Sequence, residues 1–229
     1  LSTFATYSTS YKPVGVNLGG LPTQSGEVMI ELAQIKPEYV THFELGVKSN
    51  PSSNSTVNLT LFNTDVKDFQ TQVQSGEVGV NRGYLANAEK VRVTGAELDA
   101  NARLNRNVSF YTSVTFTNAE YVSFKNAPVP LEEVGGASAF KDISGGRLPG
   151  VSKWAGSLGG ELLSNPVTFW GLESKIFFGL DTYFRSSFSS SPSPSKYLNV
   201  DGYALVNARV GFRATSGISF FVWSRVVLS

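Results

Sequence analysis

The predicted fold follows from the stretch AELDANARLNRNVSFYTSVTFT, residues 96–117. Apolar and polar residues alternate over 96–104, and the charged residues all fall on one parity. The polar segment Asn-Arg-Asn at 105–107 interrupts the pattern, which then resumes over 108–117. Alternation with a period of two is typical of β-strands, because successive side chains point to opposite faces. The stretch therefore predicts a hairpin of two strands of about ten residues each.

One face of this hairpin is apolar, and the other carries charge. In a soluble sandwich the apolar face would be buried against a second sheet. Strands of about 9–11 residues are also long enough to cross a membrane, with the apolar face against lipid. We interpret the charged face as lumen-facing, and extend this to the other alternating segments. The residues predicted to face the lumen are Glu44, Lys48, Glu97, Asp99, Arg103, Lys175, Asp181 and Arg209. Those predicted to face lipid are Val108, Phe110, Val114, Phe116, Ile176, Phe178, Leu180, Val206, Val210 and Phe212.

Composition excludes several classes of function. The chain is 41% hydrophobic and 16% charged, which favours a folded protein, and it has no cysteine, which excludes disulfides and thiolate chemistry. Its net charge of +1, from 19 basic and 18 acidic residues, gives no long-range field that would attract nucleic acid. No apolar run approaches the roughly 18 residues of a membrane-spanning helix, so any membrane span must be made of strands.

Further alternating segments bring the predicted total to about nine antiparallel strands. The other segments are 1–11, 42–48, 57–66, 153–162, 172–185, 204–213 and a last strand from 218. Their connections alternate in length. Short turns are predicted at 50–55, 105–107, 164–171 and 214–217, and long loops at 12–41, 67–87, 120–152 and 186–201. Outer-membrane barrels have short turns at the periplasmic end and long loops at the extracellular end, whereas a sandwich has no reason to sort its connections in this way.

Aromatic residues near the predicted strand ends fit the girdles that flank the apolar band of such barrels. They are Tyr7, Tyr11, Phe116, Tyr121, Trp154, Trp170, Phe184 and Tyr203.

Six segments, in order along the chain, resemble the barrel of TonB-dependent outer-membrane receptors. They are ATYSTSYKP at 5–13, KPE at 36–38 with FELGVK at 43–48, LFNTDVKDFQ at 61–70, VTGAEL at 93–98, LPGVSKW at 148–154 and GYALVNAR at 202–209. The resemblance implies an all-β, up-and-down transmembrane barrel section, about nine strands of a 22-stranded barrel. Residues 1–229 would be the C-terminal portion of that barrel, with the plug domain and the terminal strand absent. Ser152 stands where the family usually has proline.

The resemblance also implies a function, which is active import across the outer membrane of a Gram-negative bacterium. The ligand is most often a ferric siderophore, and TonB energises import through the plug. No chemistry on the ligand is expected, and no cofactor, because the siderophore itself carries the iron. One histidine and no cysteine agree with this expectation, since a protein-built iron site would need clustered ligands. Candidate ligand contacts, by stacking and charge pairing, are Phe124, Phe140, Arg185, Phe188 and Tyr197.

Other interpretations stay open. Each lumen charge could simply belong to a solvated polar wall, and the loop aromatics could pack within the loops. His42 beside Glu44 could suggest a general base, but a triad needs a positioned serine and acid, so we predict no enzyme. A passive porin-like channel or a soluble glycan-binding β-sandwich would share many of these patterns, and an outer-membrane hydrolase is a more distant possibility. Cobalamin, haem and saccharide importers share the barrel, so the ligand itself is not predicted.

Overall fold

The computed structural model describes residues 1–19, 21, 23–24, 26–74, 83–169, 171–193 and 195–229. Within them, nine long strands form one antiparallel sheet in which neighbours follow chain order. The strands are β1 (Ser2–Lys12), β2 (Glu38–Ser52), β3 (Ser55–Gln74), β4 (Gly83–Arg103), β5 (Val108–Ser123), β6 (Trp154–Leu163), β7 (Leu172–Arg185), β8 (Tyr203–Ala214) and β9 (Ser219–Leu228). The short strand Val167–Phe169 also pairs with β7. The all-β, up-and-down prediction is confirmed.

The long connections contain only small elements. These are two 3₁₀ turns, Ile30–Leu32 and Leu131–Glu133, and the two-residue strands Gly15–Val16, Thr23–Gln24, Glu27–Val28, Gln34–Ile35, Ala127–Pro128, Phe140–Lys141, Phe188–Ser189 and Asn199–Val200. No helix among the described residues is long and apolar enough to cross a membrane. Short turns join β2 to β3, β4 to β5, β6 to β7 and β8 to β9, so all of them lie at one end of the sheet and the longer loops lie at the other.

Residues 67–87 were predicted as a loop, and this is wrong over most of that range. Strand β3 continues to Gln74, and β4 begins at Gly83, which leaves only 75–82 outside the described residues. Asp68 explains the missed extension. Its φ of 52° breaks the alternation within the strand, and side chains beyond it exchange faces, so the period-two pattern loses its phase.

The register shows which side chains share a side of the sheet, because residues paired across neighbouring strands point the same way. We call the side that bears Leu98 opposite Val114 the front, and the side that bears Asp99 opposite Ser113 the back. Every residue predicted to face lipid lies on the front, and every one predicted to face the lumen lies on the back. Front residues such as Leu61 and Phe178 are 48% and 44% exposed. The sandwich alternative needs a second sheet over the front, and the described residues contain none.

The character of the two sides reverses along the strands. From the short turns to the row that contains Leu61, Ala96, Phe116 and Trp154, the front is largely apolar, and we call this part the membrane band. Beyond it, in the loop-end region, the back carries a buried core. This core consists of Val66, Val73, Tyr84, Ala86, Ala88, Val91, Ala119, Tyr121, Phe124, Ala127, Ile143 and Leu148. The long loops cover the sheet here, since Phe124, Ile143 and Leu148 come from the connection between β5 and β6.

The aromatic girdle is confirmed at some positions only. Tyr7, Phe116, Trp154 and Phe184 lie on the front near the loop end, and the rings of Phe116 and Trp154 are 4.9 Å apart. Tyr11 shares this side, opposite Tyr39. Two further residues were placed wrongly, because strand-end position alone does not determine the side: Tyr121 is buried in the core, and Tyr203 lies on the back opposite Arg185. Trp170 lies outside the described residues.

Candidate functional site

Five polar side chains form a continuous network on the back of the membrane band. The Tyr111 hydroxyl donates a hydrogen bond of 2.7 Å to Asp181. Arg209 lies 3.9 Å from Asp181 and 3.6 Å from Glu161, and Arg213 lies 3.4 Å from the same Glu161. The back-face network thus joins β5, β6, β7 and β8 across the middle of the sheet.

Two glycines leave the space that this network occupies. A Cβ on Gly159 would lie 2.7 Å from Asp181 Oδ1 and 2.8 Å from the Tyr111 hydroxyl. A Cβ on Gly179 would lie 2.5 Å from Arg209 Nε. A side chain at either position would displace these groups, so the two glycines let the charged groups meet directly over the sheet.

The network is partly open to solvent, with side-chain exposure from 20% at Glu161 to 51% at Arg213. Exposed ion pairs of this kind contribute only about 0–1 kcal/mol each. Its importance therefore lies in the surface it presents, which is a row of both signs of charge held in fixed positions.

The sequence predicted only part of this network. It identified Asp181 and Arg209, and missed Tyr111, Glu161 and Arg213. Parity could have shown that the three missed residues share the back, but their contacts depend on the pairing of distant strands.

The other residues predicted to face the lumen also lie on the back but stand apart from the network. Glu44 lies 3.6 Å from His42, and the Lys48 ammonium is 5.2 Å from the centre of the Phe4 ring. His42 also contacts the Thr64 hydroxyl at 2.8 Å. The remaining four have the following neighbours on the adjacent strands. Glu97 lies between Thr60 and Thr115, and Asp99 lies between Asn58 and Ser113. Arg103 lies opposite Ser109, and Lys175 lies opposite Arg213.

Arg185 holds two long loops together at the loop end of β7. Its Nε donates to the Ser152 hydroxyl at 2.9 Å, and a terminal nitrogen donates to the Gly150 carbonyl at 3.0 Å. Its guanidinium stacks 3.8 Å from the centre of the Phe188 ring. Ser152 in turn donates to the Ser186 carbonyl at 2.6 Å. The hydroxyl of Ser152 therefore bridges the two loops.

A cavity of about 330 Å³ lies beside this junction, and its lining is basic and aromatic. Phe188, Arg147 and Lys196 contribute to it, together with Ser187, Ser189, Ser195 and Asn199. Glu132 lies at its edge, where it accepts hydrogen bonds from the Ser195 hydroxyl at 2.6 Å and the Lys196 backbone N–H at 3.0 Å. These bonds hold the pKa of the Glu132 carboxyl below its ordinary value, so it stays charged. Tyr197 is next to the cavity lining, 66% exposed, with the Lys196 ammonium 4.9 Å from its ring centre.

A second, larger cavity of about 460 Å³ lies between the first long loop and β4. Phe140 contributes to its lining, with Lys36, Glu31, Asp68 and Glu89 among the charged residues. Asn17 anchors this loop, because its side chain exchanges hydrogen bonds of 2.9 Å with the backbone of Leu85. Three acidic groups against one basic group make this cavity poorly suited to an anion.

Phe124 occupies a different environment from the other four predicted ligand contacts. It is 1% exposed, and its ring packs 5.1 Å from that of Tyr121. A ligand cannot reach it in this arrangement, and the structure favours the alternative that Phe124 packs within the loop layer. Within the described part of the chain, no group of three or more His, Cys, Asp or Glu side chains is placed to hold a metal ion.

The fold has clear counterparts among solved structures. The ferric yersiniabactin uptake receptor FyuA from Yersinia pestis matches 96% of this chain with a TM-score of 0.62 and 18% identity. The siderophore receptor PiuA from Acinetobacter baumannii matches 92% of this chain with a TM-score of 0.56 and 18% identity. The ferric-catecholate import receptor Fiu from Escherichia coli K12 matches 96% of this chain with a TM-score of 0.59 and 16% identity. The chain spans only 29%, 27% and 27% of these three receptors, respectively.

The sequence itself matches a family model. The model for the TonB-dependent receptor-like β-barrel aligns with residues 1–224, nearly the whole chain. This family consists of transport receptors of the Gram-negative outer membrane rather than enzymes. The apolar front, the meander and the sorting of short turns from long loops are what a section of such a barrel requires. The chain therefore belongs to the TonB-dependent receptor β-barrel family and resides in the outer membrane.

Proposed function

We propose that this chain forms one wall of a receptor that captures a ferric siderophore at its extracellular loops and imports it with energy supplied through TonB. The observation that carries the proposal is the basic and aromatic cavity beside Phe188, Arg147 and Lys196, on the loop end of a transmembrane sheet. Cations and aromatic rings are the groups that hold an anionic, ring-bearing iron chelate by charge pairing and stacking.

Arg185 and Phe188 act together in this proposal. Because Arg185 stacks on Phe188 and is fixed by Ser152 and Gly150, the ring is held in one orientation at the cavity wall. Tyr197 and Phe140 offer further ring surface at the loop end, and Phe124 supports the layer from beneath. The chelator supplies every iron ligand, so the protein needs no resident metal.

The back of the membrane band has a separate role. A barrel wall that bears Asp181, Arg209, Glu161 and Arg213 presents polar groups to water and to any plug domain inside the barrel. A plug that forms ion pairs with this wall could move along it by exchanging one polar partner for another, without contact with an apolar surface. TonB would act on that plug, and this chain would provide the wall against which it moves.

Growth under iron limitation tests the proposed function. The complete receptor gene that contains this chain is expressed in a strain that lacks its own siderophore receptors, and single siderophores are supplied. Growth on one siderophore, and only with TonB present, is expected. Growth that persists without TonB would favour a passive porin-like channel, and no growth on any siderophore would overturn the proposed ligand class.

Binding measurements locate the site. Arg147→Ala with Lys196→Ala should weaken binding of the imported ferric siderophore by at least about tenfold, since each removes one charge-assisted contact. Lys12→Ala is the matched control, because Lys12 is an exposed cation on β1 that does not line this cavity. Equal affinity of the double variant and the control would show that the ligand binds elsewhere.

A further inference from the structure

Strands β3 and β4 carry basic residues on the front, just beyond the membrane band. Along β3 the front side chains change from Leu61 to Asn63, Asp65 and Lys67. The register places Asp65 opposite Arg92 and Lys67 opposite Lys90. The side of the sheet that contacts lipid lower down therefore ends in a cluster of three cations and one carboxylate, which we call the front basic patch (Asp65, Lys67, Lys90 and Arg92).

The single carboxylate of the patch is already occupied. Asp65 receives two hydrogen bonds from Arg92, at 2.8 and 3.2 Å, and lies 3.6 Å from the Lys90 ammonium. Lys67 forms no ion pair within the described residues, and its direct neighbour across the strands is Lys90. Like charges placed directly opposite each other destabilise a sheet. The pair Lys67 and Lys90 would be relieved by an anion placed between them.

The nearby carboxylates do not supply that anion. Asp68 lies 3.9 Å from Lys36 and lines the cavity on the other side of the sheet. Glu89 also lines that cavity, and accepts a hydrogen bond of 3.2 Å from the Lys125 backbone. Glu120 lies across from Arg92 on β5 and accepts a hydrogen bond of 3.4 Å from Asn118, so it is not opposite either lysine.

The height of the patch matches a lipid headgroup layer. The front aromatic Phe43 lies opposite Asn63, which marks the edge of the apolar surface on β3. Lys67 is four residues further, about 13 Å along the strand and about 10 Å above that edge at the usual strand tilt. Tyr39 lies opposite Lys67 and is 53% exposed. Tyrosine beside lysine is the typical composition of a membrane interface, where long side chains reach back toward the headgroups.

We propose that Lys67, Lys90 and Arg92 bind a phosphate group on the headgroup of an outer-leaflet lipid. The patch lies at the long-loop end of the barrel, which is extracellular. It is continuous with the apolar front, so the acyl chains of the same lipid would lie along Leu61 and Leu98 while the phosphate bridges the two lysines. This continuity is why a lipid, rather than a free phosphate ion, is the occupant. The interaction is separate from ligand import, which uses the loops and the back of the sheet.

Lipid binding to the complete, detergent-solubilised receptor tests this, with native mass spectrometry as the measurement. The probes are diphosphoryl lipid A, fully dephosphorylated lipid A and inorganic phosphate. Lys67→Gln with Lys90→Gln should reduce occupancy by diphosphoryl lipid A about 10- to 30-fold, as expected for the loss of two cations near an anionic headgroup. Lys48→Gln with Lys175→Gln removes the same charge from the back and should leave lipid occupancy unchanged. Lys67→Arg should retain binding.

Several outcomes would overturn the proposal. Dephosphorylated lipid A that binds as tightly as the diphosphoryl form would show that the phosphate is not recognised. An equal loss in the front and back double variants would show a general charge effect. Competition by millimolar inorganic phosphate would identify a free-anion site instead. Siderophore binding is the independent readout, and it should be the same for the Lys67 and Lys90 double variant as for the natural receptor.

Discussion

The membrane band and the loop-end region use the same strands with opposite chemistry. In the band, β4 and β5 place Leu98 and Val114 on the front and Asp99 and Ser113 on the back. In the loop-end region the front carries Arg92 and Glu120, whereas the back carries Val91, Ala119 and Tyr121, which are 1%, 5% and 0% exposed. A side of this sheet therefore has no fixed polarity. What lies against each side at a given height determines it.

The physical reason is the change of solvent along the strand. Strands of 20 and 21 residues, β3 and β4, extend about 66–69 Å, well beyond the roughly 30 Å of a bilayer core. Within the bilayer, lipid is the apolar partner, and the back is left to water and polar contacts. Above it, water lies on the front, and the sheet can bury apolar area only by folding its loops onto the back. Phe124, Ile143 and Leu148 supply that cover.

An arginine placed at two different depths on the back of β5 should give the largest difference in stability. Ala119→Arg puts an unpaired guanidinium into the buried core and should destabilise the receptor by about 3–5 kcal/mol. Ser113→Arg, six residues away on the same strand and side, meets solvent and should change stability by less than about 0.5 kcal/mol. Urea unfolding of the complete receptor in lipid bilayers measures both. Equal penalties would mean that the back is not dry at Ala119.

The second effect tests the front within the membrane band. Phe178→Arg faces lipid beside Leu162 and Val210, and should destabilise the receptor by about 2–4 kcal/mol near the bilayer centre. Lys175→Ala, on the back of the same strand, should cost little, because it also removes a like charge opposite Arg213. The same unfolding experiment applies. If Lys175→Ala destabilised the receptor as much as Phe178→Arg, the assignment of the front to lipid and the back to the lumen would be wrong.

The sequence predicted the membrane band well, because one rule governs it. Lipid on one side and polar groups on the other enforce strict alternation, as in residues 96–117, and the order of short turns and long loops then determines the meander. Positions such as Asp181 and Phe178 could be assigned to a side from parity alone. The contacts of Asp181 with Tyr111 and Arg209 could not be predicted, since they depend on the register of four strands and on the space at Gly159 and Gly179.

The loop-end region was predicted less well for two reasons. Alternation changes phase at Asp68, so real strand was assigned to a loop. The buried core also draws on segments far apart in sequence, and nothing local marks Phe124 or Tyr121 as buried. The bridge from Arg185 to Ser152 spans 33 positions and carries no periodic signal.

Loss of a tyrosine hydroxyl should change stability differently in the two regions. Tyr111→Phe removes the hydroxyl that donates to Asp181 and should lose about 0.5–1.5 kcal/mol. Tyr121→Phe, ten residues further on the same side of β5, removes a buried hydroxyl that has no hydrogen-bond partner of good geometry, although Thr71 is close by. That change should be neutral or slightly stabilising, because an unsatisfied buried group is itself a cost. Destabilisation of the same size at both positions would show that Tyr121 has a partner after all.

The smallest effect is a pH dependence confined to the loop layer. Hydrogen bonds from the Ser195 hydroxyl and the Lys196 backbone lower the pKa of Glu132, so the charged carboxylate favours the docked loops. This contribution is complete above the ordinary glutamate pKa and is lost as the pH falls through the lower, folded-state value. Hydrogen exchange of residues 195–202 should therefore accelerate as the pH falls below about 4, after correction for intrinsic rates. Glu132→Gln should show this faster exchange at neutral pH and little further change on acidification.

Asp142 is a second carboxylate in the same long loop as Glu132. The pKa of its carboxyl is also lowered, but by the hydroxyl and the backbone N–H of Ser144 in the same turn. Protonation of Asp142 therefore loosens one turn without separating two loops, and Asp142→Asn should leave exchange in residues 195–202 unchanged. If Asp142→Asn accelerated exchange there as much as Glu132→Gln, the two loops would respond as one acid-sensitive layer, and Glu132 would not be the specific link between them.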